Sequence, residues 1–231
     1  MKLRHEQLLA AKKVAENEFE TVRTDLKTIL PSEALLRHYH RLDTKIAEAR
    51  DVSTTKTACD SGCWYCCYYK VVARAAEIFL IIDFVRRNFS GEQLTQVTAQ
   101  AKKNVLEVEG FSHAEHLATN QRCPFLVDAQ CSVYSVRPAK CRTFHATDVE
   151  GCRLSYERPT DLDLPNSYIP EVLIATEGCT QGFNEAMRFA GYDFRVYDLN
   201  SALIEALENP KCAKRFRDKK KAFLLAKQDA I

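Results

Sequence analysis

The stretch "ACDSGCWYCCYYK", Ala58 to Lys70, puts four of the chain's ten cysteines, Cys59, Cys63, Cys66 and Cys67, inside nine residues. Packing alone gives no reason for four thiols at this spacing, so the stretch reads as a site. Were it helical, all four would share one face, with neighbouring Cβ atoms about 5–6 Å apart. A single zinc, with Zn–S bonds of about 2.3 Å, needs its sulfurs closer than that, although side chains can lean in. A larger object such as an iron–sulfur cluster suits a spread row better. Alternatively, Asp60-Ser61-Gly62 makes a turn and the cysteines wrap the metal from a loop. The adjacent pair Cys66-Cys67 suits one ion poorly, because consecutive side chains diverge in helix and strand alike. Two neighbouring thiols more naturally serve two jobs.

Cys123, Cys131, Cys141 and Cys152 supply the missing partners. Eight thiols complete two four-thiolate sites, or one cluster with reserve thiols for redox chemistry. Lys70, Arg74, Arg137 and Arg142 stand within a few residues of these cysteines and fit an anionic thiolate site. Cys179 and Cys212 lie alone in helical segments and read as small buried hydrophobes. His145 follows Cys141 closely and reads as a ligand or as a group that orients one. His113 and His116 share a helical face but lack a carboxylate motif, so they read as surface residues. His38 and His40 are two apart on a helix and face different sides.

Outside the cysteines, composition mainly excludes. Thirty-three Lys and Arg against 31 Asp and Glu give no strong nucleic-acid signal. The run Lys211, Lys214, Arg215, Arg217, Lys219, Lys220 and Lys221, opposed by Asp218, reads as a solvated helix end rather than an anionic partner site. Only seven glycines occur and no two fall in a G-x-G pattern, which argues against a dinucleotide or phosphate loop. "MKLRHEQLLAAKK" lacks a signal-peptide core, and "IFLIIDFV" (Ile78 to Val85) is too short and too charged to span a bilayer. The expectation is a cytoplasmic chain with no membrane association. In a reducing compartment its clustered cysteines are metal or redox groups rather than disulfides.

Apolar residues at helical spacing predict two helices in the first fifty residues, with Pro31-Ser32 breaking them and capping the second from Glu33 to about Ala49. Further helices are expected over Ala75 to Asn88, from the Ser90–Gln93 capping box to about Glu109, and in a short turn headed by Ser112. "CPFLVDAQCSVY" predicts a hairpin around Asp128-Ala129-Gln130. "RPTDLDLPNSYIP", Arg158 to Pro170, reads as a loop. Helices follow over about Glu171 to Phe189, Ser201 to Leu207 capped by Asn200, and Lys211 to Lys227. "DFRVYDL" suggests a short strand. The fold class is mainly α with a small β-hairpin, a helical protein folded around a cysteine-rich metal site. Its parts are a helical hairpin (1–54), a cysteine-cluster domain (55–157) and a helical extension (158–231) packed on the same core.

Cys59-x3-Cys63-x2-Cys66-Cys67, then Cys123-Pro124-Phe125-Leu126, Cys131-Ser132-Val133-Tyr134, Arg137-Pro138 and Cys141-Arg142 together resemble the YkgJ-type cysteine-cluster family. "FHATDVEGC", ending at Cys152, resembles a further cysteine that many members carry. The likeness spans about Cys59 to Cys152 and implies zinc or iron chelation, with many members labelled iron–sulfur proteins. A flagellin lysine N-methylase is similar in its cysteine cluster, but nothing outside the cysteines here identifies a substrate. Cys59-x3-Cys63-x2-Cys66 also has the spacing of radical S-adenosylmethionine enzymes, yet the strand–helix alternation of their barrel is missing.

The leading expectation is a cysteine-ligated iron–sulfur protein, of the [4Fe–4S] type, in electron transfer, redox sensing or protein modification, with a protein partner or substrate. Its metal ligands are Cys59, Cys63, Cys66, Cys67, Cys123, Cys131, Cys141 and Cys152. The alternative is a structural zinc module serving as a protein-interaction domain. A metal-free Cys63–Cys66 thiol pair leaves the downstream cysteines unexplained. No reaction is assigned.

Overall fold

The computed structural model describes residues 5–59, 62–161, 163–164 and 168–229. Helical periodicity gives two long N-terminal helices, α1 (His5–Asp25) and α2 (Pro31–Val52). Pro31 opens α2 rather than breaking the chain before it, since the first helical N–H needs no partner. Leu30 is the N-cap residue, and no side chain, Ser32 included, caps that end. Strand β1 (Val72–Arg74) then runs into α3 (Ala75–Asn88), α4 (Gly91–Glu107) and α5 (His113–Leu117). Both serine capping boxes, at Ser90 and Ser112, form. After β2 (Leu126–Val127) and β3 (Gln130–Cys131) come α6 (Ala139–Thr143), α7 (Val149–Glu157) and α8 (Pro170–Phe189). Strand β4 (Val196–Asp198), α9 (Leu199–Glu208) and α10 (Lys211–Arg217) complete the order.

The chain is therefore mainly helical with a small hairpin. β2 and β3 pair antiparallel, and Asp128 and Ala129 between them both have positive φ, 47° and 59°. That is the twist a two-residue hairpin turn needs, but alanine enters the left-handed region at a cost. Ala129→Gly should accordingly raise stability by about 0.5–1 kcal/mol, read from the urea midpoint.

Several expectations change. The short strand in "DFRVYDL" forms, but its partner is β1, more than a hundred residues away, with Ala73 opposite Tyr197. Asp198, not Asn200, caps α9 by accepting the Ser201 N–H at 2.8 Å. The basic helix stops at Arg217, and Lys219 has φ 58°. Beyond it the chain runs irregularly, because Asp193 and Glu205 capture its backbone N–H groups at Ala222, Leu224, Leu225 and Ala226. Helices α6 and α7 were not foreseen. The predicted Asp60-Ser61-Gly62 turn and the 158–170 loop fall partly outside the described residues, although Gly62 itself has φ 86°.

One buried cluster draws Val22 from α1, Leu35 from α2, Ile78 and Ile81 from α3, Phe183 from α8, Tyr197 from β4, Leu203 from α9, and Phe223. Along α8, Gly178 and Gly182 let that helix lie directly against the α1 backbone. Beside this contact Glu18 and His38 are both buried, joined at 2.9 Å, and the His38 ring stacks on Phe183 at 4.4 Å. His40 faces solvent, as the two-residue offset predicts. Among the described residues no helix is long and apolar enough to cross a membrane.

Candidate metal centre

Cys59 and Cys63 lie outside regular structure, and Cys66 and Cys67 sit in a single 3-10 turn, Tyr65–Tyr68. The continuous-helix picture is thus replaced by a loop. Both members of the adjacent pair sit in that one turn.

Backbone bonds bring the distant cysteines to this turn. Cys123 donates its N–H to the Cys67 carbonyl at 2.8 Å, and Gln121 donates to the Tyr68 carbonyl at 2.9 Å. Ala58 donates to Ala146 O at 2.8 Å, while the Ala146 N–H returns to Cys59 Sγ at 3.4 Å. Tyr69 Oη reaches the Cys152 carbonyl at 3.4 Å. Cys141 is placed from the α3 side. The buried Glu77 carboxylate accepts from Arg74 N–H, Tyr39 Oη and Ala139 N–H at 2.8, 2.9 and 2.7 Å, fixing the start of α6 two residues before Cys141. Glu77 carried no motif, so sequence reading missed it.

Charge shows how the thiols are grouped. Burial pushes the Cys141 thiol up to about 12, and Cys66 and Cys131 add to the rise. Cys123 is raised by burial and by Cys141, Cys131 and Cys66. Burial pushes Cys152 up to about 11, with Cys59, Cys63 and Cys66 contributing. Cys63 rises by burial and feels Cys66 and Cys59, while Cys131 rises by burial and feels Cys66. Cys66 is raised first by its bond with Cys67 and next by burial. Cys152 thus responds to Cys59 and Cys63, Cys123 responds to Cys131 and Cys141, and Cys66 bears on both Cys152 and Cys123. Of the flanking cations, Arg137 faces this group, lowering Cys66, Cys131 and Cys141 against those rises. Lys70 instead pairs with Asp229 at 2.5 Å, Arg74 bonds the Phe194 carbonyl, and Arg142 pairs with Asp43 above the Tyr39 ring.

Four aromatic rings cover the turn. Trp64 meets Tyr65, Tyr68 and Tyr156 with centroids 4.7, 5.4 and 5.1 Å apart. Tyr156 comes from α7 and was not foreseen.

The histidines divide. His145 is buried with both ring nitrogens occupied. The Ile169 N–H donates to Nε2 at 3.0 Å, so the proton sits on Nδ1, 3.2 Å from the Thr143 carbonyl that accepts it. It is a strut between α6 and α8 and has no nitrogen left for a metal. His116 is not at the surface. It is buried, with Nε2 3.0 Å from the Gln121 amide oxygen and Nδ1 without a partner among the described residues. His113 is exposed and pairs with Asp229 at 2.9 Å. Burial lowers both His116 and His145 from 6.5, so each is kept neutral in the folded chain. This stabilisation is intact above the unfolded-state value and is lost as pH falls below it, since only the unfolded chain then takes up the protons. Urea midpoints should be flat between about pH 7 and 8 and fall between about 6.5 and 5. A midpoint unchanged over that window would contradict the assignment.

Cys179 and Cys212 are buried away from the group, and burial pushes their thiols up to about 12 and about 11. Among the described residues no group of three or more His, Cys, Asp or Glu side chains is arranged so that it could hold a metal ion. What fits a soft metal here is the donor chemistry, the thiols of a cysteine-rich segment. Fold and site together define a helical, thiol-rich protein. Residues 58–167 match the family model CxxCxxCC, described as "Putative zinc- or iron-chelating domain". That match agrees with the cysteine-cluster family the sequence resembles, and its description supports metal binding by this segment. No curated protein and no solved structure matches the chain.

Proposed function

We propose that Cys59, Cys63, Cys66, Cys67, Cys123, Cys131, Cys141 and Cys152 hold an iron–sulfur cluster of the [4Fe–4S] type, in a protein that transfers electrons, senses redox state or modifies another protein. The observation that carries this reading is the bonding that joins Cys123 to the Cys67 carbonyl, Tyr69 to the Cys152 carbonyl, and Ala58 and Cys59 to Ala146. Eight thiols exceed the four positions of one tetrahedral zinc, and thiolates are the donors such clusters use. Once bound, a cluster of this kind supplies one-electron redox chemistry. The chain's own residues hold the thiols, offset their charge through Arg137 and cover the Cys66-Cys67 turn with Trp64 and its tyrosine neighbours. Raised thiol values mean that binding any metal must displace protons, so loading should release protons and weaken as pH falls.

A structural zinc module is the second reading. It is favoured by the segment between α5 and α6, where strands of two residues are the only sheet and a metal would stand in for core. Metal and acid-labile sulfide analysis of protein purified without air separates the two. About four iron and four sulfide per chain with a band near 400 nm supports the cluster. One or two zinc with no sulfide supports the module and overturns the cluster.

A further inference from the structure

The structure holds two leucines outward on a fixed piece of backbone beside the chain's strongest run of positive charge. Leu224 is 58% exposed and Leu225 86%, between the buried Phe223 and Ala226. The chain bends at both residues. The bend is fastened. One Glu205 carboxylate accepts the N–H groups of Leu224, Leu225 and Ala226, each at 2.8 Å. On the near side Ala222 is held through both its N–H, by Asp193 at 2.7 Å, and its carbonyl, by Arg215 at 2.8 Å. On the far side Lys227 donates its N–H to Ser201 Oγ at 3.1 Å. Glu205 is itself buried and also pairs with Arg215 at 3.1 Å. The exposure of these leucines is therefore a property of the fold.

Lys219 and Lys220 are exposed just before the tip, Lys221 is half-buried there, and Lys227 is exposed just after it. The acids nearest in sequence are engaged: Asp218 pairs with Lys214 at 2.5 Å, and Asp229 pairs with Lys70 at 2.5 Å. We propose that this tip docks the protein on an anionic lipid bilayer, with Leu224 and Leu225 entering the headgroup–acyl boundary and Lys219, Lys220, Lys221 and Lys227 meeting the lipid phosphates and carboxylates. Size favours a bilayer over a protein groove. Two leucines fall far short of the roughly 800 Å² a side that a stable protein interface buries. A bilayer accepts a small convex apolar tip because neighbouring basic residues add their attraction to the same event.

The test is co-sedimentation of the whole chain with phosphatidylcholine vesicles made with and without phosphatidylserine. Binding should favour the phosphatidylserine vesicles and weaken with added salt. Each of Lys219→Gln, Lys220→Gln and Lys221→Gln should weaken it about fivefold, and the three together about a hundredfold. Leu225→Ser should weaken it at least about tenfold while leaving the thermal midpoint unchanged, because Glu205 holds backbone rather than this side chain. Equal binding to both vesicles, binding to neither, or indifference to Leu225→Ser would each overturn the proposal. So would a dimer that Leu225→Ser converts to monomer, since the leucines would then belong to a second copy.

Discussion

Cys66→Ser should strip the protein of more metal than any other single cysteine replacement. Cys66 shares one turn with Cys67, and its charge bears on Cys63, Cys123, Cys131, Cys141 and Cys152. Serine keeps the shape but exchanges a soft thiolate for a hydroxyl that does not ionise near neutral pH. Partners that merely orient a ligand are worth roughly 10–100-fold in metal affinity, so loss of a ligand itself should exceed a hundredfold. Cys179→Ser and Cys212→Ser are the controls and should keep full metal content, because both thiols are buried elsewhere. The measurement is metal per chain after a chelator challenge. A Cys66→Ser protein that holds its metal like the parent would remove Cys66 from the ligand set and refute the central role given to it.

The second large effect is on stability. A Cβ at Gly178 would stand 2.6 Å from the Ala11 carbonyl oxygen and 2.7 Å from Val14 Cβ. One at Gly182 would stand 2.8 Å from Glu18 Cβ and 3.0 Å from Phe19 N, and closer still to the Ala15 carbonyl. Most of these obstacles are backbone atoms of a neighbouring helix, which cannot swing aside. Gly→Ala gains about 1 kcal/mol in helix propensity. Over-packing costs about 1–3 kcal/mol, and contact with a backbone belongs at the upper end. Gly182→Ala should therefore lose about 1–2 kcal/mol net, and Gly182→Leu at least about 3. Separation of α1 from α8 would also disturb Glu18. Burial alone would push that carboxyl up, but hydrogen bonds from His38 and Arg41 more than offset it and hold it low. Thermal unfolding reads the result, at about 2–4 °C per kcal/mol for a chain of this size. Full retention of the midpoint by Gly182→Leu would show that the helices do not pack at this distance.

These two cases also mark how far the sequence could be read. Helices α1 to α5 and α8 were legible because apolar spacing, capping boxes at Ser90 and Ser112, and a glycine at 110 are local signals. The hairpin was legible from its turn, and the cysteine set from its order along the chain. All of these are carried by residues within a few positions of one another. The failures share a different cause. Lys211 to Lys227 has helical character as a string, yet Glu205 and Asp193, distant in sequence, compete for its backbone and end the helix at Arg217. His116 has the spacing of a surface residue but is buried against Gln121. Gly178 and Gly182 look unremarkable until α1 lies across them.

By itself, then, the sequence determined the mainly helical class, the hairpin and the family resemblance of the cysteine segment, because each rests on short-range periodicity or residue order. Tertiary structure alone decided that Cys123 pairs with the Cys67 backbone, that Lys70 and Arg74 turn to Asp229 and the Phe194 carbonyl, and that Leu224 and Leu225 stay outside. Those outcomes depend on which distant backbone and charged groups satisfy one another once buried, and the cost of leaving any of them unpaired is what selects the arrangement.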